Sequence, residues 1–249
     1  MKEVIIDSGG GLLLVAGKEG GALLPESPAA EEGAAYTFEM DGEKCTVRRA
    51  SDADLTRGYL TSDIRASYDL LPPLHHRMAV KGAELLKLDL ATRHCGYCGA
   101  LMRRGTDGLG KVCPECGREA FPQVSPCVIV LITRGDEVLL VRGRNMRGGV
   151  HGLVAGYVET GETLEECVRR EVREETSLEI DNIRYIGSQP WPNPANLMCA
   201  FRAEYAGGEL RFADGELRGG FFRRDALPEL PSGSSIARRL IEQWVAGAL

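Results

Sequence analysis

The chain has 249 residues, 43% hydrophobic and 27% charged, which excludes a wholly disordered polymer and leaves room for one or two domains with a real core. A net charge of -6 disfavours a general nucleic-acid binder relying on bulk positive charge. No apolar run reaches the roughly 18 residues of a membrane span, and Met1-Lys2-Glu3-Val4-Ile5-Ile6-Asp7 is too short and acid-interrupted for a signal peptide, so a cytoplasmic protein is expected.

Residues 1–90 predict an N-terminal α+β domain. Val4–Ile6 and Leu12–Ala16 flank the Ser8-Gly9-Gly10-Gly11 turn and suit two paired strands. Leu24 to Gly33 reads as a loop, and Tyr36–Met40 and Cys45–Arg48 flank Asp41-Gly42, a hairpin signal. After Pro72-Pro73, Val80, Ala83, Leu86 and Leu90 lie near helical spacing, predicting a helix over Met78 to Leu90. His75-His76 is expected at the surface, since adjacent side chains point apart on a helix. No chemical motif marks this region.

The eight cysteines sort into two groups. Cys45, Cys127, Cys167 and Cys199 stand among apolar neighbours and are expected as small buried hydrophobes. Cys95, Cys98, Cys113 and Cys116 form two C-x-x-C pairs within a domain placed at 91–120, a pattern that supplies four thiolates to a tetrahedral Zn²⁺. Gly96, Gly99 and Gly117 are expected to let backbone amides approach the sulfurs without Cβ clashes. Four sulfur ligands leave no position for water, so this zinc would be structural. The region holds Arg93, Arg103, Arg104, Lys111 and Arg118 against Asp107, Glu115 and Glu119, which permits nucleic-acid binding without demanding it.

The third region, 121–249, mixes strands and helices. Val128–Thr133 and Glu137–Arg142 predict a hairpin about Gly135-Asp136. A helix is expected near 163–176, strands near 183–187, 197–205 and 219–223, and a closing helix near 235–247 capped at Ser234-Ser235. Thr163 and Glu166 fit a capping box, and Leu164, Cys167, Val168 and Val172 mark the buried face of the first helix. Glu171, Glu174 and Glu175 fall within about 100° of arc on that helix, where divalent Mg²⁺ or Mn²⁺ would relieve their repulsion. The other reading of the helix alone is a solvated face pairing with Arg169, Arg170 and Arg173.

The longer pattern, Gly156-x5-Glu162-x7-Arg170-Glu171-Val172-x-Glu174-Glu175-x-Ser177-Leu178, resembles the Nudix box, with Ser177 where glycine is usual. Ser188-Gln189-Pro190-Trp191-Pro192-Asn193-Pro194-Ala195-Asn196 resembles the signature of the NADH pyrophosphatases, also called NAD-capped RNA hydrolases, with Asn193 in place of Phe and Asn196 in place of Ser. That resemblance covers most of residues 80–245. It implies an α+β protein: a Nudix α/β/α sandwich preceded by a zinc ribbon and an N-terminal α+β domain. It implies metal-dependent cleavage of the pyrophosphate of NAD(H) to NMN(H) and AMP, removal of 5′ NAD caps from RNA, and a homodimer. By the same resemblance, Glu171, Glu174 and Glu175 are catalytic metal ligands joined by Glu216, and Arg170 orients the carboxylates or their helix. Phe121, Tyr157, Gln189, Trp191, Asn196, Glu216 and Ala237 would contact substrate. Arg142, Arg144 and Arg147 suit either phosphate contacts or a solvated basic loop. Two other functions stay open: a broader dinucleotide or ADP-ribose diphosphatase, and a zinc-ribbon RNA-binding or nucleotide-sensing regulatory protein.

Overall fold

Two folding units, Met1–Gln123 and Val124–Leu249, divide the chain in the computed structural model. It describes residues 1–27, 35–105, 108–143, 148–192, 195–212 and 217–249.

The first unit holds β1 (Lys2–Ile6), β2 (Leu12–Ala16), β3 (Ala22–Leu23), β4 (Tyr36–Met40), β5 (Glu43–Arg49), the one-turn helix α1 (Asp52–Leu55), β6 (Leu60–Ser62) and the long helix α2 (Pro73–Ala91). Its sheet runs β3-β2-β1-β5-β4, with β6 also on β2. The glycine turn pairs β1 with β2 as expected, Ile5 opposite Leu13. The Asp41-Gly42 hairpin also forms: both central residues take positive φ, 50° and 81°, the geometry a two-residue hairpin turn requires.

Helix α2 departs from expectation in start and face. Pro73 is its first residue, where a missing N–H costs nothing. The buried stripe is Met78, Ala79, Gly82, Leu85 and Leu86, whereas Leu90 is exposed. The cause lies opposite: a methyl at Gly82 would come within 2.8 Å of Val4 Cγ1, so the helix approaches the sheet along the glycine side. His75 and His76 are buried, not exposed. The turn Ala66–Tyr68 covers the start of α2, bringing Ser67 Oγ within 3.0 Å of His76 Nδ1 and the Tyr68 ring edge-on to His76.

The same unit contains the three-stranded ribbon β7 (Arg103–Arg104), β8 (Lys111–Val112) and β9 (Glu119–Ala120). One carboxylate ties it to α2 and the sheet. Asp89 accepts from Tyr36 Oη at 2.8 Å and Arg104 Nη2 at 3.3 Å, with Lys111 Nζ 3.4 Å away. Burial, then this hydrogen bond, pushes the Tyr36 hydroxyl up to about 12.

The second unit contains β10 (Ser125–Arg134), β11 (Glu137–Gly143), β12 (Val154–Tyr157), α3 (Leu164–Thr176), β13 (Glu179–Trp191), β14 (Asn196–Gly207), β15 (Leu217–Arg223) and α4 (Ile236–Val245). The mixed sheet runs β13-β14-β10-β11-β15, with β12 on β10. Strand β10 is parallel to β14 and antiparallel to β11 and β12. Its apolar run is buried on both faces, as expected of a strand between two helical layers. Val128, Val130 and Ile132 pack towards Cys167, Val168 and Val172 of α3. Ile129 and Leu131 pack towards Ile236, Leu240 and Trp244 of α4. The unit is therefore an α/β/α sandwich. Cys45, Cys127, Cys167 and Cys199 are all buried, as anticipated. Among the described residues no helix is long and apolar enough to cross a membrane.

Candidate active site and zinc ribbon

Helix α3 positions the carboxylates. Thr163 caps it, accepting from the Glu166 N–H, while the Glu166 side chain accepts from the Thr163 N–H. The buried stripe Cys167, Val168 and Val172 fixes its rotation, which turns Glu171 inward and leaves Glu174 at the solvent side. At the far end Ser177 takes φ 59° and its N–H bonds the Arg173 carbonyl. The serine thus accepts the left-handed cap conformation that glycine adopts without strain.

Glu171 lies over β12 with no room to spare. A Cβ at Gly156 would sit 1.8 Å from the Glu171 carboxyl carbon. The glycine that opens the box is therefore a seat for that carboxylate. Tyr157, the next residue, points to the opposite face of the strand. It is half exposed, and its hydroxyl accepts from Asn196 Nδ2 at 3.2 Å.

Arg170 organises the acidic groups. Its Nε and Nη2 grip both oxygens of Glu162, at 2.8 and 3.0 Å. Its Nη1 donates to Glu171 at 2.9 Å and Glu174 at 3.0 Å, and its Nη2 also donates to the Tyr157 carbonyl at 2.9 Å. This fork holds the Glu162 carboxyl down at about 2 and raises the arginine's own pKa. Arg170–Glu174 is an i,i+4 pair, but Arg173 reaches Glu179 and Arg169 reaches the Ile180 carbonyl. The face is thus not a simple ladder of solvated pairs.

Sequence reasoning passed over Glu162 as a working residue. The signal was available: Glu162 and Arg170 are both fixed positions of the box pattern, and the fold brings them together. Glu216 lies outside the described residues, as do Asn193, Arg144 and Arg147; Arg142 is exposed. The donor set suits a hard cation, being carboxylate oxygen throughout.

Four of the expected substrate contacts, Tyr157, Gln189, Trp191 and Asn196, lie on neighbouring strands towards one end of the sheet. Trp191 on β13 stands opposite Asn196 on β14, which pairs with Ser125 on β10, and Cys127 of β10 pairs with Tyr157. Pro190 is accommodated because β13 is an edge strand. Gln189 is buried, its Nε2 donating to the Ser234 carbonyl just before α4. Gln189 Oε1 and Asn196 Oδ1 are buried without a hydrogen-bond partner. Ala237 is buried in the first turn of α4. An open groove of about 580 Å³ runs along the loop before α3, lined by Glu159, Glu162, Arg170 and Glu174 among others. None of the expected base contacts lines it. Phe121 belongs to the first unit and is 43% exposed.

In the ribbon, the four cysteine sulfurs lie within 4.8 Å of one another, the only such ligand group among the described residues. Neighbouring sulfurs are 3.4 to 3.6 Å apart. Four sulfurs at 2.3 Å from one ion would be about 3.8 Å apart, so the cage fits zinc. The Cys98 and Tyr97 amides draw the Cys95 thiol down to about 6, and the Cys116 amide lowers Cys113. The two knuckles repeat each other: Gly99 donates to the Cys95 carbonyl and Gly117 to the Cys113 carbonyl. The glycines serve another purpose than expected. A Cβ at Gly96, Gly99 or Gly117 would meet nothing within 4 Å. Gly99 and Gly117 are needed instead for φ of 77° and 73°.

A Nudix fold carrying a zinc ribbon is the class these features define. The NUDIX domain profile matches residues 123–244 and the NADH pyrophosphatase zinc ribbon domain profile matches residues 91–121. The chain belongs to the Nudix superfamily, within its zinc-ribbon-bearing NADH pyrophosphatase and NAD-capped RNA hydrolase family. It is 48% identical over 170 residues to the NAD-capped RNA hydrolase NudC of Pectobacterium carotovorum, a match covering 68% of this chain and 65% of that protein. The protein of the same name from Yersinia enterocolitica is also 48% identical, with the same coverage. The chain thus matches slightly under two thirds of the length of these relatives. A Nudix hydrolase crystal structure from Nitrosomonas europaea shares the fold, with a TM-score of 0.52 and 20% identity over 62% of this chain and 91% of that one.

Proposed function

We propose that this protein hydrolyses the pyrophosphate bond of NAD(H), giving NMN(H) and AMP, and removes 5′ NAD caps from RNA to leave a 5′ monophosphate. The observation that carries this reading is the Arg170 fork, which gathers Glu162, Glu171 and Glu174, with Glu171 on the seat made by Gly156. The relatives at 48% identity bear the name NAD-capped RNA hydrolase.

In this reading Glu171, Glu174, Glu175 and Glu216 hold Mg²⁺ or Mn²⁺. Divalent ions there neutralise the pyrophosphate, orient it and lower the pKa of bound water. Arg170 positions the carboxylates and does not touch substrate. Tyr157 offers a flat face to a base, and Phe121 a further one. The unpartnered Gln189 Oε1 is an acceptor for a ring or carboxamide N–H. Trp191, Asn196 and Ala237 complete the contacts. The ribbon zinc is structural, and the working protein is a homodimer in the cytoplasm. Asn196 favours a second reading, a broader dinucleotide or ADP-ribose diphosphatase, because its carboxamide occupies the Tyr157 hydroxyl.

The test is hydrolysis of NADH, NAD⁺, ADP-ribose and NAD-capped RNA with Mg²⁺ or Mn²⁺, with products identified by mass. Release of NMNH and AMP, lost in Glu175→Gln, is expected. Faster turnover of ADP-ribose moves the assignment to the broader enzyme, and binding without turnover with either metal identifies a nucleotide sensor.

A further inference from the structure

The zinc ribbon carries an aromatic that the proposed hydrolysis does not use. Tyr97 lies inside the first knuckle, between Cys95 and Cys98, yet 72% of it is exposed. Its backbone is held by the Cys95–Ala100 and Gly99–Cys95 hydrogen bonds, so the ring stands on a rigid base. Arg118, just past the second knuckle, places its guanidinium 4.3 Å from the ring centroid. Its carbonyl accepts from the Cys113 N–H, which fixes that residue as well. The other cation–π pairs of this unit differ: Arg104 and Lys81 cover Tyr36 and Phe38, whose rings are buried.

The ribbon is weakly cationic although the chain is acidic overall: five basic residues stand against Asp107, Glu115 and Glu119. Arg104 and Lys111 are turned to Asp89. Arg93, Arg103 and Arg118 are exposed, and no carboxylate lies within ion-pair distance of them among the described residues. An open ring with a planar cation against it, on a ribbon that carries further unpaired arginines among its described residues, matches a ligand with flat faces and negative charges in alternation. Single-stranded nucleic acid has that chemistry, and its unpaired bases are free to stack.

We propose that the ribbon is a contact surface for single-stranded RNA, in which one base stacks on Tyr97 and Arg118 engages an adjoining phosphate. This surface acts on the body of an RNA rather than on its capped end, and it deepens the proposed function, on which it rests, by giving RNA a foothold that free dinucleotides lack.

The experiment measures binding of the full zinc-loaded chain to a labelled 20-nucleotide single-stranded RNA with a 5′ monophosphate, by fluorescence anisotropy without added Mg²⁺ or Mn²⁺. That RNA has no pyrophosphate to cut, so binding is read independently of hydrolysis. Tyr97→Ala is expected to weaken binding about tenfold, while Tyr97→Phe binds as the parent. Arg118→Ala is expected to weaken binding and to lower the slope of log K against log salt by about one. Zinc content and NADH turnover of these variants stay at the parent level. Failure of the parent to bind RNA, equal binding by Tyr97→Ala, or capture of a protein rather than RNA at this face overturns the proposal. Absence of NADH turnover in the parent would instead overturn the hydrolase reading and leave the RNA result standing.

Discussion

Replacing Gly156 by alanine tests the link between the β12 backbone and the carboxylate above it. The added methyl would lie 1.8 Å from the Glu171 carboxyl carbon and 2.0 and 2.1 Å from its oxygens. Ordinary carbon contacts need about 3.5 Å, so the carboxylate must move by about 1.7 Å. That motion breaks the 2.9 Å bond to Arg170, which also holds Glu174. Overpacking of this kind costs about 1–3 kcal/mol, and loss of a strand glycine returns about 0.5–1 kcal/mol. The net is a destabilisation of about 0–2.5 kcal/mol. The effect on catalysis is larger, since misplacing a reacting group by about 1 Å costs on the order of a hundredfold. The assay is NADH turnover at saturating Mg²⁺ or Mn²⁺ beside a thermal melt. Gly187→Ala serves as the control, because a methyl there meets nothing within 4 Å. Turnover of Gly156→Ala within about twofold of the parent would refute the reasoning, since a carboxylate displaced that far from its working position entails a much larger loss.

Other outcomes follow from the same geometry. Cys113→Ser is expected to lose zinc by elemental analysis and to lower the melting temperature, the cage having one thiolate fewer. Ser177→Gly is expected to stabilise by about 1 kcal/mol in denaturant titration with turnover unchanged, because glycine removes the cost of the left-handed conformation. Glu162 is held down at about 2, below its ordinary value of 4.5, so its stabilisation is full above about pH 4.5 and disappears as the pH falls to 2. Melting temperatures of the parent and Glu162→Gln should therefore differ at neutral pH and converge on acidification; parallel curves would show that the Arg170 fork contributes nothing.

Much of the architecture is written in local chemistry. Asp41-Gly42 specifies its hairpin because two adjacent positive φ values admit few residue pairs. Thr163 and Glu166 specify where α3 begins, and Cys167, Val168 and Val172 its buried face. The cysteine quartet announces itself by spacing. What stayed hidden depends on distant partners. The face of α2 follows from how closely Gly82 approaches Val4, which no periodicity within the helix reveals. His76 is buried under a turn nine residues upstream, and His75 lies beside Glu43 of the sheet. Strand β12 is short and contains glycine, so its sequence alone has little strand character, and pairing with β10 defines it. At the site, the glutamate pattern was legible as a pattern, but the role of Arg170 as a clasp on Glu162 required the fold.

The Asp89 junction has a consequence for how the first unit responds to its surroundings. Tyr36 from the sheet, Asp89 from the helix, and Arg104 and Lys111 from the ribbon share one carboxylate. A ligand that binds only a folded ribbon therefore stabilises, through this joint, strands that never touch it. The free concentration of zinc becomes a thermodynamic variable for the N-terminal sheet, and depletion of the metal reaches Tyr36 as surely as a substitution there would.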